Sequence, residues 1–265
     1  MNESINFAVG TKQLPTSGGG QCVAAPLRRI QILTHHKCAS TFVGFYLEQV
    51  CVLNGLRLFR SHRATDRPHP ECDVSLLTNV TYGRIKNEID APSIHIIRNP
   101  LDIISSAYNS HRFTHGLDGW PHLQQQRRIL MNCNKELGMH LTLAFLERAE
   151  FYPETPGPLH ALGEWRFDDT RIRTVRMEDL VTDVTSMLGG ALIPTLGGTI
   201  KLPDKANFTF ERITGGRHIG EVDDMSHYRS GKPGSWREDL PDSIIAYVRA
   251  HFYELLSRFY PDSLE

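Results

Sequence analysis

No apolar run in these 265 residues approaches the roughly 20 consecutive positions that a membrane-spanning helix needs. The N-terminus also lacks the basic-then-apolar pattern of a secretory signal, so neither a membrane span nor export is expected. A surplus of either charge is missing too. With 29 Lys and Arg against 30 Asp and Glu the net charge is -1, which argues against a general nucleic-acid or membrane-surface binder. Cysteine is scarce and odd in number: five residues, with no tight spacing, in a chain too long to need disulfide staples. Reduced thiols and a cytoplasmic location are the expectation. Zinc-like spacing is lacking as well, because "HHKC" and "HRATDRPHPEC" bring His35, His36, Cys38, His62, His69 and Cys72 near one another in no common ligand pattern. No metal is expected. There is no internal repeat, and oligomeric state leaves no readable signal.

A hydrophobic content of 40% can bury one substantial core. The "TSGGGQ" stretch reads as part of a flexible leader over residues 1–27, leaving one domain over 28–265. Within it, short β-branched runs alternate with longer segments of helical period, the pattern of an α/β protein with a mostly parallel central sheet flanked by helices. Strands are expected at 29–33, 56–59, 73–77, 93–98 and 171–176. Helices are expected at 40–54, 101–112, 122–151, 178–188 and 242–259. The Pro- and Gly-rich stretches 152–158 and 189–198 read as loops, and 198–238 has no clear period. Such an aperiodic segment often crosses the mouth of a site at the carboxyl ends of parallel strands.

Charge is uneven despite the neutral total. Between Arg28 and Arg67 seven basic residues face two acidic ones, which directs attention to "THHKCASTFVG" (34–44). A strand, a turn and a helix starting near Ser40 would present free backbone N–H groups and a positive dipole end to an anion, with Lys37 adding charge and Ser40 and Thr41 adding hydroxyls. A triphosphate loop would read GxxxxGK[ST], and here glycine is absent, with Ala39 in the small-residue position. The bland alternative is an ordinary turn with Ser40 as the helix N-cap.

Two further segments weigh against that alternative. "IIRNPLDIISSAYNSH" (96–111) ends a strand at Arg98 and opens a helix at Pro100, with Ser106 two turns along. "HYRSGKPGSWRED" (227–239) sets Arg229 and Lys232 among Gly231 and Gly234, a loop suited to closing on a phosphate.

Taken in order, the three segments resemble the P-loop-like sulfotransferases that use 3′-phosphoadenosine 5′-phosphosulfate (PAPS) and release 3′-phosphoadenosine 5′-phosphate (PAP). "HKCASTF" stands for that family's PKSGTTW-type loop, which implies that Lys37, Cys38, Ala39, Ser40 and Thr41 bind the 5′-phosphosulfate and that Phe42 offers its face to adenine. Arg98, Asp102 and Ser106 match R-x-x-x-D-x-x-x-S, implying contact of Arg98 and Ser106 with the 3′-phosphate. Arg229, Ser230 and Gly231 match the RKGxxGxW loop in the same role, with Trp236 trailing. "RMEDL" (176–180) and "NFTFERI" (207–213) are weaker echoes, the second implying Phe210 near adenine and the first carrying Met177 where Tyr is usual.

The resemblance implies sulfuryl transfer to a hydroxyl or amine of a small-molecule or carbohydrate acceptor, with PAPS as co-substrate and Lys37 at the leaving group. It also leaves a gap, for many members carry a catalytic His just after the third strand, where this chain has Asn79. His35, His36, His111, His62 and His69 are the candidates for the missing base, and His36, adjoining Lys37, is the first choice. A cysteine phosphatase is excluded because Gly44 stands where Cys38 would need an Arg. A nucleotide-binding scaffold without activity and a divergent P-loop kinase remain the competing readings.

Overall fold

The computed structural model describes residues 29–265. The expected leader over 1–27, with Cys22, lies outside the described residues.

Five strands form one sheet: β1 (Ile30–Thr34), β2 (Leu58–Ser61), β3 (Val74–Thr78), β4 (Ser93–Ile97) and β5 (Ile172–Arg176). Every pairing is parallel, and the spatial order is β2-β3-β1-β4-β5. Every residue of β1, β3 and β4 is buried. Helices cover both faces, which is why these strands read as unbroken apolar runs rather than alternating ones. The helices are α1 (Ser40–Asn54), α2 (Tyr82–Ile85), α3 (Pro100–Arg112), α4 (Pro121–Leu130), α5 (Lys135–Leu146) and α6 (Pro158–Gly163). They continue as α7 (Met177–Thr182), α8 (Val184–Leu196), α9 (Phe210–Thr214), α10 (Trp236–Asp239), α11 (Asp242–His251) and α12 (Tyr253–Phe259).

On one face Ile30, Ile32, Leu76 and Ile96 pack against α1 and α8 through Tyr46, Leu47 and Leu188. The opposite face carries Ile97 and is covered by α3, α5, α11 and α12 through Leu101, Ile104, Leu143, Val248 and Leu256. From β1 the chain runs outward to β2, returns through β3, then crosses to β4 on the other side of β1. That reversal opens a crevice beyond the carboxyl end of β1, where open α/β sheets bind ligands.

Several expected boundaries move. The helix expected over 122–151 is two, α4 and α5, separated where Asn134 caps α5 by accepting from the Leu137 N–H. That expected over 178–188 breaks at Asp183, which caps α8 through the Ser186 N–H. Helix α8 then runs to Leu196, so the loop expected from 189 is helical: Gly189 permits close contact with Leu202, and Pro194 sits within the last turn. The 242–259 helix divides at Phe252. The second strand begins at Leu58 rather than residue 56, because Gly55, at φ 64, ends α1 in a left-handed cap. The aperiodic 198–238 stretch holds only short turns of helix, including one 3-10 turn at Lys205–Phe208.

Candidate active site

A cavity of about 1140 Å³ opens at the carboxyl edge of the sheet. Residues following all five strands reach it: His36, Lys37 and Ala39 to Phe42 after β1, His62 after β2, Asn79 after β3, Arg98 after β4 and Met177 after β5. Ser106 of α3, Phe210 of α9 and Arg229, Ser230, Gly231 and Lys232 of the late loop line it too.

The β1–α1 turn explains how a loop without glycine keeps a phosphate-loop shape. Lys37 (φ 67) and Ala39 (φ 60) both adopt the left-handed conformation, at a cost of roughly 1–2 kcal/mol each. Three hydrogen bonds hold the turn there. The Thr34 hydroxyl donates to the Cys38 carbonyl at 2.9 Å, the Cys38 N–H to the His35 carbonyl at 3.1 Å, and Arg98 Nη1 to the Lys37 carbonyl at 3.1 Å. Ala39, not Ser40, occupies the cap position of α1, and no side chain caps it. The first-turn amides of this 15-residue helix are therefore free to bind an anion from the cavity.

Cys38 departs from its expected role. Its side chain is fully buried beneath the turn and does not line the cavity, its N–H is spent on His35, and burial pushes the thiol up to about 12. It packs; its side chain does not reach the cavity.

Lys37 is half-buried, and desolvation followed by the Arg98 charge lowers its ammonium to about 7. Arg98 Nε is buried with no partner. Near Arg98, Glu178 accepts from the Asn99 N–H at 3.2 Å and the Tyr260 hydroxyl at 3.0 Å, and burial raises its carboxyl. Two cationic groups thus border one cavity with hydrogen-bonding capacity unspent, a setting in which an anion restores what burial removed.

The late loop is fastened to α3 through Asp102, which accepts from the Gly234 N–H at 2.8 Å. Arg217 shapes it from within, donating to the carbonyls of Tyr228 (2.6 Å) and Arg229 (2.9 Å). Arg229 itself pairs with Asp224 at 2.7 Å and Asp239 at 3.4 Å. Gly231 sits at φ 64 with the Phe210 ring so close that an added Cβ would lie 2.4 Å from it. A side chain there would displace the aromatic that borders the cavity.

The expected histidines divide. His35 turns away from the cavity and its Nε2 meets His95 Nε2 at 2.7 Å, with His95 stacked on Trp165. His69 lies against Phe59 on the outside. His62 lines the cavity, its carbonyl accepting from Asn79 Nδ2 at 3.0 Å. His36 lines it as well, with Nε2 3.0 Å from His111 Nε2. His115 and His227 also border it and escaped the sequence reading, since nothing in their spacing shows that they converge on Lys37. Burial lowers His36 and His111 well below their ordinary values, and brings His115 to about 4. Asn79 holds a left-handed φ of 65, a conformation Asn tolerates better than most residues. Among the described residues no cluster of three or more His, Cys, Asp or Glu is arranged to hold a metal ion.

No family model matches the sequence, and no curated protein matches it either. Solved structures do match the fold. Mouse sulfotransferase SULT7A1, solved with PAP, has a TM-score of 0.55 at 12% identity, over 86% of this chain and 85% of that one. Retinol dehydratase, solved with androsterone and PAP, has a TM-score of 0.54 at 13% identity, over 89% and 83%. A second retinol dehydratase structure, with retinol and PAP, gives 0.52 at 12% identity, over 89% and 83%. The five-stranded parallel sheet with its flanking helices is the sulfotransferase fold.

Proposed function

We propose that this chain transfers a sulfuryl group from PAPS to a hydroxyl or amine of a small-molecule or carbohydrate acceptor. The observation that carries the reading is the convergence of Lys37, Arg98 and the uncapped α1 N-terminus on one cavity, with the Arg98 Nε buried and unpartnered. A strongly anionic ligand matches that set. PAPS would supply a sulfuryl group on a phosphate leaving group. The Ser40 and Thr41 hydroxyls and the first-turn amides hold its 5′ end, Lys37 neutralises the leaving oxygen, and Arg98, Ser106, Arg229, Ser230 and Gly231 select the 3′-phosphate. Phe42 and Phe210 give aromatic walls for adenine, while Met177 borders the cavity where Tyr would. His36 takes the acceptor proton. The PAP, androsterone and retinol of the similar structures support a nucleotide of this class beside a small organic acceptor.

The test is mass-spectrometric detection of a sulfo group moved from PAPS to members of a panel of alcohols, phenols, amines and sugars, alongside calorimetric titration with PAP and ATP. PAP is expected to bind more tightly than ATP. Tighter ATP binding would favour a kinase; PAP binding without transfer to any acceptor would favour a scaffold, the reading that Asn79 at the end of β3 keeps in play. Gly231→Ala is expected to weaken PAP binding about tenfold, because the new Cβ meets Phe210 and the left-handed φ resists a side chain. Titration of the variant with PAP checks this.

A further inference from the structure

We propose that His111 and Gln126 are positioning residues that fix the tautomer of His36, so that its Nδ1 faces the cavity as the base and its Nε2–H points inward. The inference rests on the sulfotransferase reading above for its chemistry, but its structural half can be tested without it.

Three side chains from three parts of the chain form a line. Gln126 on α4 is buried with Oε1 2.9 Å from His111 Nδ1, and His111 on α3 places Nε2 3.0 Å from His36 Nε2. With His111 protonated at Nδ1 and donating to Gln126, its Nε2 carries a lone pair and accepts from His36 Nε2–H. The remaining His36 nitrogen, Nδ1, then holds a lone pair. Among the described residues no hydrogen bond engages that atom, and His36 lines the cavity. Arg127, next to Gln126, anchors the arrangement by donating to the carbonyls of His111 (2.5 Å) and His115 (2.6 Å).

During transfer His36 Nδ1 accepts the acceptor's proton as the acceptor oxygen or nitrogen bonds to sulfur. The bond from sulfur to the 5′-phosphate oxygen breaks with its electron pair remaining on PAP. His36 then carries the positive charge and passes it toward His111 through Nε2–H. The charged and titratable groups facing the pair are Lys37 beside His36, His115 after α3, His227 of the late loop and Arg127 of α4. All of them are basic. In that surrounding a positive charge is disfavoured, and a neutral pair with one defined lone pair is the expected resting state.

Long-range ¹⁵N–¹H correlation spectra of the histidine rings in the full chain at pH 7.5 test the assignment directly. His36 is expected as the Nε2–H tautomer and His111 as the Nδ1–H tautomer. His36 protonated at Nδ1 overturns the proposal, because the cavity would then face a donor. Gln126→Leu removes the acceptor for His111 Nδ1–H and is expected to mix the tautomers of both rings. If transfer is found, it should lower kcat about tenfold or more with PAP affinity unchanged. Gln126→Glu keeps an acceptor and favours the cationic pair. It should retain the parent tautomers, keep kcat, and move the acid limb of the pH–rate profile upward. Parent-like spectra for Gln126→Leu, or an acid limb unmoved in Gln126→Glu, overturn it. Absence of PAP binding in the parent chain would sink the function reading and leave the tautomer measurement to stand or fall alone.

Discussion

Lys37→Met is expected to abolish the proposed sulfuryl transfer but to leave the ligand-free protein as stable as the parent or more so. Losing one well-placed donor at the developing charge of a transition state typically costs 10²–10³-fold in kcat, and a drop of about that size or larger is expected here. The stability half follows from burial. The Lys37 ammonium is desolvated beside Arg98, and both effects press it toward the neutral amine at about 7. Replacing it with an uncharged chain of similar length removes an uncompensated cation, and thermal melts without ligand should show no loss. A fall of more than a few degrees would mean that Lys37 has a structural partner.

The same group gives the proposed PAP binding an expected pH signature. Bound phosphate raises the Lys37 affinity for its proton, so the protonated form is the one that binds. Below about pH 7 the ammonium is charged before binding and affinity is complete. Above that value each binding event takes up a proton, and affinity falls by up to about tenfold per pH unit until the bound-state value is reached. Titrations from pH 6.5 to 9 should show this slope in the parent and lose most of it in Lys37→Met.

Much of this architecture could be read from the sequence because parallel strands buried on both faces leave short, uninterrupted apolar runs, as at "RIQIL" and "SIHIIR". Helix ends were harder. Asp183, Asn134 and Phe252 divide segments whose apolar period runs on across them, and α8 tolerates Gly189 and Pro194 that elsewhere mark a loop. The site splits the same way. Lys37, Arg98, Ser106 and Arg229 lie in ordered local motifs, so their convergence on one cavity could be anticipated. Cys38 sits inside such a motif yet faces the core, because two successive left-handed turns around it send alternate side chains to opposite sides. His115 and Gln126 belong to no motif, and His227 opens the late-loop segment without being one of its matched residues. Only the packing of α3, α4 and the late loop brings them to His36, and no spacing in the chain encodes that meeting.

Mild acid should unfold this protein, and its buried histidines are the reason. Burial lowers His35 to about 3, and His36, His95 and His111 are lowered by the same cause, with the His35 charge further lowering His95. An unfolded chain binds protons at these sites near pH 6.5, whereas the folded chain does not. Stability therefore rises with pH across this range and is lost as pH falls below about 6.5. For His35 alone the loss between pH 7 and pH 5 is about 2 kcal/mol. Three more buried rings act in the same direction, against a total stability of roughly 5–15 kcal/mol for a typical domain. Circular dichroism melts in steps from pH 8 to 4.5 should show the midpoint temperature falling steeply below pH 6, with the native signal lost at room temperature before pH 4.5. The double variant His35→Leu/His95→Leu removes two of the titrating rings together, leaves neither unpaired, and should move the acid midpoint to lower pH. A parent protein whose melting temperature at pH 5 stays within a few degrees of its value at pH 7.5 would show that these rings reach solvent, and that the inner wall of the site is wetter than its packing implies.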